Sequence, residues 1–205
     1  SDLICKGVEP KFYFIAGSGN KKTFTKKNLL KISRALKEDQ KKFNIFLSGG
    51  DTTFSNNLSF TITSIGYSKT IIYRNKARFN DDVYVTGNLG DSYVGLQILK
   101  KKIKVNKFFR RYFTQKYYLP DLQIKLSKKL LNIANSSIDI SDGLIADMEK
   151  LLNNQKNLSF VINETSIPIS SSLRKLIKMK KMKKISLLSN GDDYQILFTA
   201  SEAKS

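Results

Sequence analysis

The acidic residues that could do chemistry in this sequence fall beside glycine or serine, at points where strands are expected to end. Asp51 follows a Gly-Gly pair, and glycines let a backbone approach a phosphate closely. Asp139 and Asp142 lie on either side of Ser141. At a strand-to-helix junction, this spacing can aim two carboxylates and a hydroxyl at one point, beside the N–H groups of a helix N-terminus. The pattern favours a site for a phosphate-bearing ligand.

Neighbouring carboxylates at such a site need cations, because like charges repel one another. Asp192 and Asp193 form a third acidic loop. Mg²⁺ is the natural counter-ion, since it prefers oxygen ligands and is usually held by one or two carboxylates together with substrate phosphates. Arg74 follows an expected strand and is placed to clamp a nucleotide phosphate.

Each of these signals also has a purely structural explanation. Residues 49–52 fit a turn, and Ser141 with Asp142 fits a helix cap. Asp91 is expected to cap the helix that follows it, and Asp193 fits a cap in its own loop. The residues by themselves leave these alternatives open, including whether two acidic loops share one site.

Composition excludes several other kinds of site. The sequence has no histidine and one cysteine, which rules out within it a Ser-His-Asp triad, a histidine-ligated metal, an internal disulfide and a cysteine-rich zinc site. Catalysis would depend on carboxylates, hydroxyls, lysine or arginine. Cys5 is expected to be a small buried apolar residue.

The sequence is strongly basic, with 36 Lys and Arg against 17 Asp and Glu, for a formal charge of +19. Only six of the basic residues are arginine, and the lysines are spread over expected helix faces and helix ends, where they stay solvated. We therefore do not expect nucleic acid as a partner. No stretch approaches the ~20 apolar residues of a membrane span, and no secretory signal is evident, so we expect a cytoplasmic protein without membrane contact.

Hydrophobic periodicity predicts the elements that must position these residues. Strands are expected over 11–17, 44–47, 58–62, 70–73, 83–86, 137–140, 158–163 and 195–199. Helices are expected after Thr25 and after Asp91, and over 106–116, 121–134, 144–152 and 170–182. The strand expected at 44–47 is stopped by the Gly-Gly-Asp segment, and a domain boundary is expected near residues 74–82.

In their order, the motifs resemble those of the thiamine-monophosphate kinases, a family in the superfamily of aminoimidazole ribonucleotide synthetase and selenophosphate synthetase. The motifs are Ser1-Asp2-Leu3 with Gly7, Gly49-Gly50-Asp51-Thr52-Thr53, Val85-Thr86-Gly87 with Gly90-Asp91, Ile138 to Leu144, and Gly191-Asp192-Asp193-Tyr194 with Leu197-Phe198-Thr199. The Gly-Gly-Asp-Thr-Thr motif favours this family over its relatives. The resemblance covers essentially the whole sequence.

The resemblance implies a fold, a reaction and an assembly. The fold is α/β (α+β) and aminoimidazole ribonucleotide synthetase-like, with 1–78 the incomplete remnant of an N-terminal ATP-binding domain and 79–205 a truncated C-terminal α/β domain. The reaction is transfer of the γ-phosphoryl group of ATP, the co-substrate, to thiamine monophosphate. Its product is thiamine diphosphate, and Mg²⁺ is held between protein and phosphates. The full-length protein is expected to be a homodimer.

Roles for individual residues follow from the resemblance by position. The implied magnesium ligands are Asp2, Asp51, Asp139 and Asp142. The implied nucleotide contacts are Gly50, Asp51, Arg74 and Ser141. The residues that would carry catalysis are Asp51, Arg74 and Asp142. Asp192 takes the place of a family glutamate that contacts the thiamine moiety.

The sequence also departs from the family pattern. Asp192 is one methylene shorter than the usual glutamate, Asn190 replaces a glycine, and Phe54 stands where arginine is usual. The family has further segments before Ser1 and after Ser205, so we expect a fragment. Two alternatives remain, namely another ATP-dependent member of the superfamily and a non-catalytic lysine-rich remnant that binds nucleic acid.

Overall fold

The chain forms two compact units in a computed structural model that describes residues 1–179 and 181–201. The larger unit comprises Ser1–Gly7 and Thr70–Ser205, and the smaller unit comprises Val8–Lys69. The first helix, α1 (Asp2–Cys5), belongs to the larger unit. These bounds differ from those of the predicted domains, 1–78 and 79–205, and that division stays a prediction.

The smaller unit is a three-stranded mixed sheet with one helix. Its elements are β1 (Pro10–Gly19), α2 (Lys26–Phe43), β2 (Phe46–Phe54) and β3 (Ser59–Gly66). The strand order is β2-β1-β3, with β2 parallel and β3 antiparallel to β1. The Thr25 side chain caps α2 by accepting the N–H of Asn28, as expected for a helix start. The strands predicted around 11–17 and 58–62 and the helix after Thr25 are confirmed.

The Gly-Gly-Asp segment lies within a strand, so the predicted strand end there is wrong, and so is the alternative of a turn. β2 continues through it to Phe54. Gly50 pairs with Ile15, and a Cβ on Gly50 would lie 1.8 Å from the Ile15 carbonyl oxygen. Glycine here permits a close parallel pairing beside a register shift, and the two threonines that follow favour strand.

Among the described residues, the larger unit combines an antiparallel sheet with five α-helices after α1. Its strands are β4 (Asp81–Val85), β5 (Ser136–Asp139) and β6 (Ile196–Ser201), in the order β4-β6-β5. Its α-helices after α1 are α3 (Asp91–Leu99), α4 (Lys107–Tyr118), α5 (Ser127–Ile133), α6 (Leu144–Leu151) and α7 (Ser171–Lys178). Short 3₁₀ helices also lie at Ile124–Leu126, Glu164–Ser166 and Ile185–Leu187.

Two predicted strands of the larger unit are wrong. Residues 70–73 and 158–163 are irregular, and Val161 is 96% exposed. A short apolar run forms a strand only where a neighbouring strand pairs with it, and local periodicity does not report the neighbour. The helix predicted over 121–134 also begins later, with a 3₁₀ turn at Ile124–Leu126 that leads into α5.

Buried apolar side chains fix the ends of the elements that carry the acidic loops. Leu144, Met148 and Leu151 of α6 pack in one cluster with Leu197 of β6, which confirms the predicted apolar face of that helix. Cys5 is buried, as predicted, at 1% exposure. Within the described part of the chain, no helix is both long and apolar enough to cross a membrane.

Candidate active site

Residues from four separate parts of the sequence meet at one cavity of the larger unit. The cavity has a volume of about 520 Å³. Its lining includes four of the predicted site residues, Asp2, Arg74, Asp139 and Ser141. The fold thus brings together side chains that are up to 139 positions apart in the sequence, from Asp2 to Ser141.

Asp139 is held at this cavity by the end of β5. It pairs with Ile196 of β6, and its carboxylate is 4% exposed. The Ser1 hydroxyl donates to Asp139 Oδ2 over 2.6 Å. Asp2 follows directly as the first residue of α1 and is exposed.

A buried carboxylate holds the loop 141–143, which leads from β5 to α6. Asp147 Oδ2 accepts the backbone N–H groups of Ser141 and Asp142, each at 3.0 Å, and of Gly143 at 3.1 Å. The N-cap residue of α6 is Gly143, which has no side chain to cap with. The structural alternative, in which Ser141 or Asp142 caps this helix, is therefore wrong.

The second acidic loop, 191–194, docks on the first through its backbone. The N–H of Asp192 donates to the Ser141 carbonyl at 3.0 Å, and the N–H of Tyr194 donates to the Ile140 carbonyl at 2.8 Å. A Cβ on Gly191 would lie 1.8 Å from the Ser141 oxygen, so glycine permits this approach. The structure thereby places Asp192 beside the loop that carries Asp142.

Two lysines that were not predicted as site residues add positive charge to the wall of the cavity. Lys6 Nζ donates to the Ser137 carbonyl at 2.6 Å, and burial, with the nearby Arg74 charge, lowers the pKa of Lys6. Lys150 Nζ lies 2.8 Å from Asp147 Oδ1 and also contacts the Asp142 carboxylate. Among the described residues that line the cavity, three are basic and two are acidic. The cavity therefore suits an anionic ligand.

The donor set also fits a divalent ion that is shared with a ligand. Among the residues that the structure describes, no group of three or more Asp, Glu, His or Cys could hold a metal by itself. Asp2 and Asp139 line the cavity, and Mg²⁺ commonly takes one or two carboxylates and completes its shell with water and phosphate oxygens. The arrangement fits that mode of binding rather than a cage made by protein alone.

Gly50 and Asp51 lie in the smaller unit, on β2. Both are exposed. The Asp51 carboxylate accepts the N–H of Thr52 at 2.7 Å, which leaves its remaining oxygen positions open to solvent.

Asp193 serves a structural purpose next to the site. Its carboxylate accepts the N–H groups of Gly90 at 2.7 Å and Ser92 at 3.4 Å, at the start of α3. Burial raises the pKa of Asp193 to about 7. Asp91, the predicted cap of this helix, instead accepts the Tyr112 hydroxyl at 2.8 Å. That prediction is wrong, and a carboxylate about a hundred residues away performs the capping.

The chain is similar to known kinases over nearly its whole length. No protein-family model matches the chain. It is 36% identical to the thiamine-monophosphate kinase of Buchnera aphidicola subsp. Acyrthosiphon pisum, over 98% of this chain and 62% of that protein. Identity to the Haemophilus influenzae enzyme is 35%, over 97% of this chain and 60% of that protein.

Over nearly its whole length, the chain is similar to the thiamine-monophosphate kinases. It spans about three fifths of the length of the curated relatives it matches.

Solved structures of thiamine-monophosphate kinases are also similar to the chain. The chain matches Aquifex aeolicus thiamine monophosphate kinase with a TM-score of 0.90 and 26% identity, over 99% of this chain and 69% of that one. AaThiL complexed with AMPPCP and TMP matches equally well, with 27% identity over 99% of this chain and 65% of that one. The predicted α/β (α+β), aminoimidazole ribonucleotide synthetase-like fold is confirmed.

A more distant match shows the fold alone. The hydrogenase maturation protein HypE of Escherichia coli has a TM-score of 0.76 with 14% identity, over 98% of this chain and 62% of that one.

Proposed function

We propose that this chain carries the phosphoryl-transfer site of an ATP- and magnesium-dependent thiamine-monophosphate kinase. The observation that carries the proposal is one cavity of the larger unit, whose lining includes the carboxylates of Asp2 and Asp139 and the basic side chains of Arg74, Lys6 and Lys150. Similarity to the thiamine-monophosphate kinases supports the choice of reaction, and a similar protein of known structure is complexed with AMPPCP and TMP.

The chemistry of the acceptor explains why no histidine base is required. Thiamine monophosphate presents a phosphate oxygen that is already largely ionised near neutral pH, so little deprotonation is needed. Catalysis of phosphoryl transfer is then mostly positioning and stabilisation of charge. Arg74, Lys6 and Lys150 supply positive charge against the non-bridging oxygens, and the Ser141 hydroxyl donates a hydrogen bond to a nucleotide phosphate.

Further residues are assigned on the same proposal. Bound Mg²⁺ would neutralise phosphate charge, and its ligands would be Asp2, Asp51, Asp139 and Asp142. Gly50 is assigned as a nucleotide contact through its backbone, and Asp192 is assigned to the thiamine moiety. A homodimer and a cytoplasmic location, where ATP is available, complete the proposal.

The test compares the thermal stability of the chain with ATP in the presence and absence of Mg²⁺, because a ligand that binds only the folded state raises the melting temperature. We expect a magnesium-dependent rise, and we expect Asp142→Asn to abolish most of it. Glu149→Gln is the matched control, since it removes the same charge from an exposed position on α6. A folded wild-type chain that shows no shift would contradict the proposal.

The two alternative functions predict different binding results for the same chain. Another superfamily member would bind Mg²⁺ and ATP but would not respond to thiamine monophosphate. A lysine-rich remnant would bind any DNA with steep salt dependence and would ignore magnesium and nucleotide.

A further inference from the structure

Asp147 is the most deeply buried carboxylate near the candidate site, and the proposed function gives it no role. Its side chain is 0% exposed. A buried carboxylate is costly unless hydrogen bonds and a counter-charge compensate it. Here three backbone N–H groups and the ammonium of Lys150 provide that compensation.

The three N–H groups belong to consecutive residues, 141–143, and all of them point at Asp147 Oδ2. Successive N–H groups that converge on one anion make a nest, which fixes the backbone dihedral angles of the residues involved. The loop that carries Ser141 and Asp142 is thus held from its buried side by one oxygen atom.

The same carboxylate also acts on the side chain of Asp142. Asp147 Oδ1 holds Lys150 at 2.8 Å, and Lys150 contacts the Asp142 carboxylate. An isolated ion pair at the surface contributes little. Lys150 is held by the buried Asp147, however. Its ammonium group therefore loses little additional conformational freedom when it contacts the Asp142 carboxylate.

The loop 191–194 depends on the same anchor. Ser141 gives its N–H to Asp147 and accepts the N–H of Asp192 on its carbonyl. Any displacement of 141–143 would therefore displace Asp192 as well.

Stabilisation of α6 alone does not account for this geometry. An acidic residue in the first helical turn interacts favourably with the helix dipole without any specific hydrogen bond. Asp147 instead binds Ser141 and Asp142, which both precede the N-cap residue Gly143.

We propose that Asp147 is a positioning residue that sets the 141–143 loop, and with it the Ser141 hydroxyl and the Asp142 carboxylate, for a nucleotide phosphate. The ordering of the loop is independent of the proposed function, whereas its consequence for nucleotide binding rests on that function.

Asp147→Asn is the informative variant because it preserves volume and removes the charge. The amide keeps one acceptor oxygen, but its NH₂ group must face either the three N–H groups or Lys150, and both are donors. Asp91→Asn is the matched control. Asp91 is also a buried carboxylate of the larger unit, at 4% exposure, and it bonds Tyr112 and Ser170 rather than the loop.

The experiment measures amide hydrogen exchange at 141–143 and the dissociation constant for ATP with Mg²⁺. In Asp147→Asn we expect exchange at these amides to accelerate by about tenfold or more, and the dissociation constant to rise by about tenfold, as charge-assisted hydrogen bonds are lost. In Asp91→Asn we expect 141–143 to exchange at the wild-type rate and the dissociation constant to change by less than about twofold.

Unchanged exchange at 141–143 in Asp147→Asn would overturn the inference, and so would equal acceleration in both variants, which would indicate general loosening. If the Asp147→Asn variant does not fold, the amide hydrogen exchange rates of the wild-type chain test the inference instead. We expect the 141–143 amides to exchange as slowly as those within α6, and exchange as fast as at exposed residues 153–154 would overturn the inference. A wild-type chain that binds no nucleotide would contradict the proposed function. The hydrogen exchange rates at 141–143 would still test whether Asp147 orders the loop.

Discussion

At the scale of single residues, two pairs of aspartates in this basic chain lie in different environments. Asp147 and Asp193 are buried and accept backbone N–H groups. Asp2 and Asp142 are exposed and are available to a ligand. Asp147 holds the loop in which Asp142 is presented, so loss of the buried carboxylate and loss of the exposed one should affect the site for different reasons.

Replacing Asp193 tests the energetic cost of its burial. The pKa of Asp193 is raised by burial from 3.8 to about 7, so the folded chain retains a proton that the unfolded chain loses. Its contribution to stability is complete below about pH 4 and is lost as the pH rises towards 7, by about 1.4 kcal/mol per pH unit. We expect Asp193→Asn to remove this dependence, as measured by urea unfolding from pH 4 to 8.

The comparison is made on the difference in unfolding free energy between wild type and Asp193→Asn. That difference should shift in favour of the variant as the pH rises from 4 to 7 and then stay level. A difference that is constant over the whole range would contradict the raised pKa.

Lys6 supplies a second prediction at this scale. Its ammonium lines the cavity from a partly buried position, where a charge acts with less screening than at the surface. We expect Lys6→Met to raise the dissociation constant for ATP by about five- to tenfold, corresponding to about 1 kcal/mol, as measured by calorimetry. Lys129→Met, at an exposed position of α5, is the control. Equal effects of the two variants would show that only the net charge matters.

At the scale of elements, the site depends on close contacts between backbones. The loop 191–194 enters β6 and lies against the loop that joins β5 to α6, with Gly191 at the point of contact. Neither loop forms regular secondary structure. The hydrogen bonds from the N–H groups of Asp192 and Tyr194 therefore determine how the two loops pack against each other.

Gly191→Ala should separate the two loops. The added Cβ would lie 1.8 Å from the Ser141 oxygen and 2.8 Å from the Asp142 carbonyl carbon, and backbone cannot yield as a side chain does. We expect a loss of about 1–3 kcal/mol in unfolding free energy, together with weaker binding of ATP, from denaturant unfolding and calorimetry.

Gly17→Ala is the corresponding control in β1. Its new Cβ would meet ring atoms of Phe60 and Phe24 at 3.2–3.4 Å, and aromatic side chains can shift by that amount. A Gly191→Ala variant that matches Gly17→Ala in stability and in ATP binding would contradict the proposed contact.

At the scale of the whole molecule, the smaller unit leaves aromatic side chains on one face of its sheet. Phe12 and Phe14 of β1 share this face with Phe46 of β2, and Tyr67 contacts the Phe12 ring. We call these four residues the aromatic face. All four are exposed, Phe46 at 55% and Tyr67 at 73%. An exposed apolar patch of this kind is typical of an interaction surface.

We expect the chain to self-associate through the aromatic face, in line with the proposed homodimer. Phe46→Lys should shift the sedimentation coefficient from dimer to monomer, because burial of an unpaired ammonium in an apolar interface is costly. Tyr118→Lys, at an exposed aromatic position on α4, should leave the dimer unchanged. A wild-type chain that sediments as a monomer, or a Phe46→Lys variant that stays dimeric, would contradict this interface.

The resemblance to the thiamine-monophosphate kinases, the order of the motifs and most elements with a strong local signal could be predicted from the sequence alone. The α6 helix was predictable because its apolar residues recur at helical spacing, and Asp139, Ser141 and Asp142 were identifiable from their place between a strand and that helix. Asp147 carried a usable signal as well, since an acidic residue in a first helical turn is a familiar pattern, but the hydrogen bonds that it makes were not predictable from that pattern.

Which side chains meet could not be predicted from local sequence patterns. Lys6 reaches the cavity because α1 lies against β5, with its ammonium on the Ser137 carbonyl, and Asp193 caps α3 across about a hundred residues. β2 runs through Gly50 because β1 lies alongside it, and 158–163 is irregular despite its apolar pattern. Periodicity reports what a segment can bury, whereas a strand, a cap or a charge at a cavity exists only when a distant part of the chain supplies its partner.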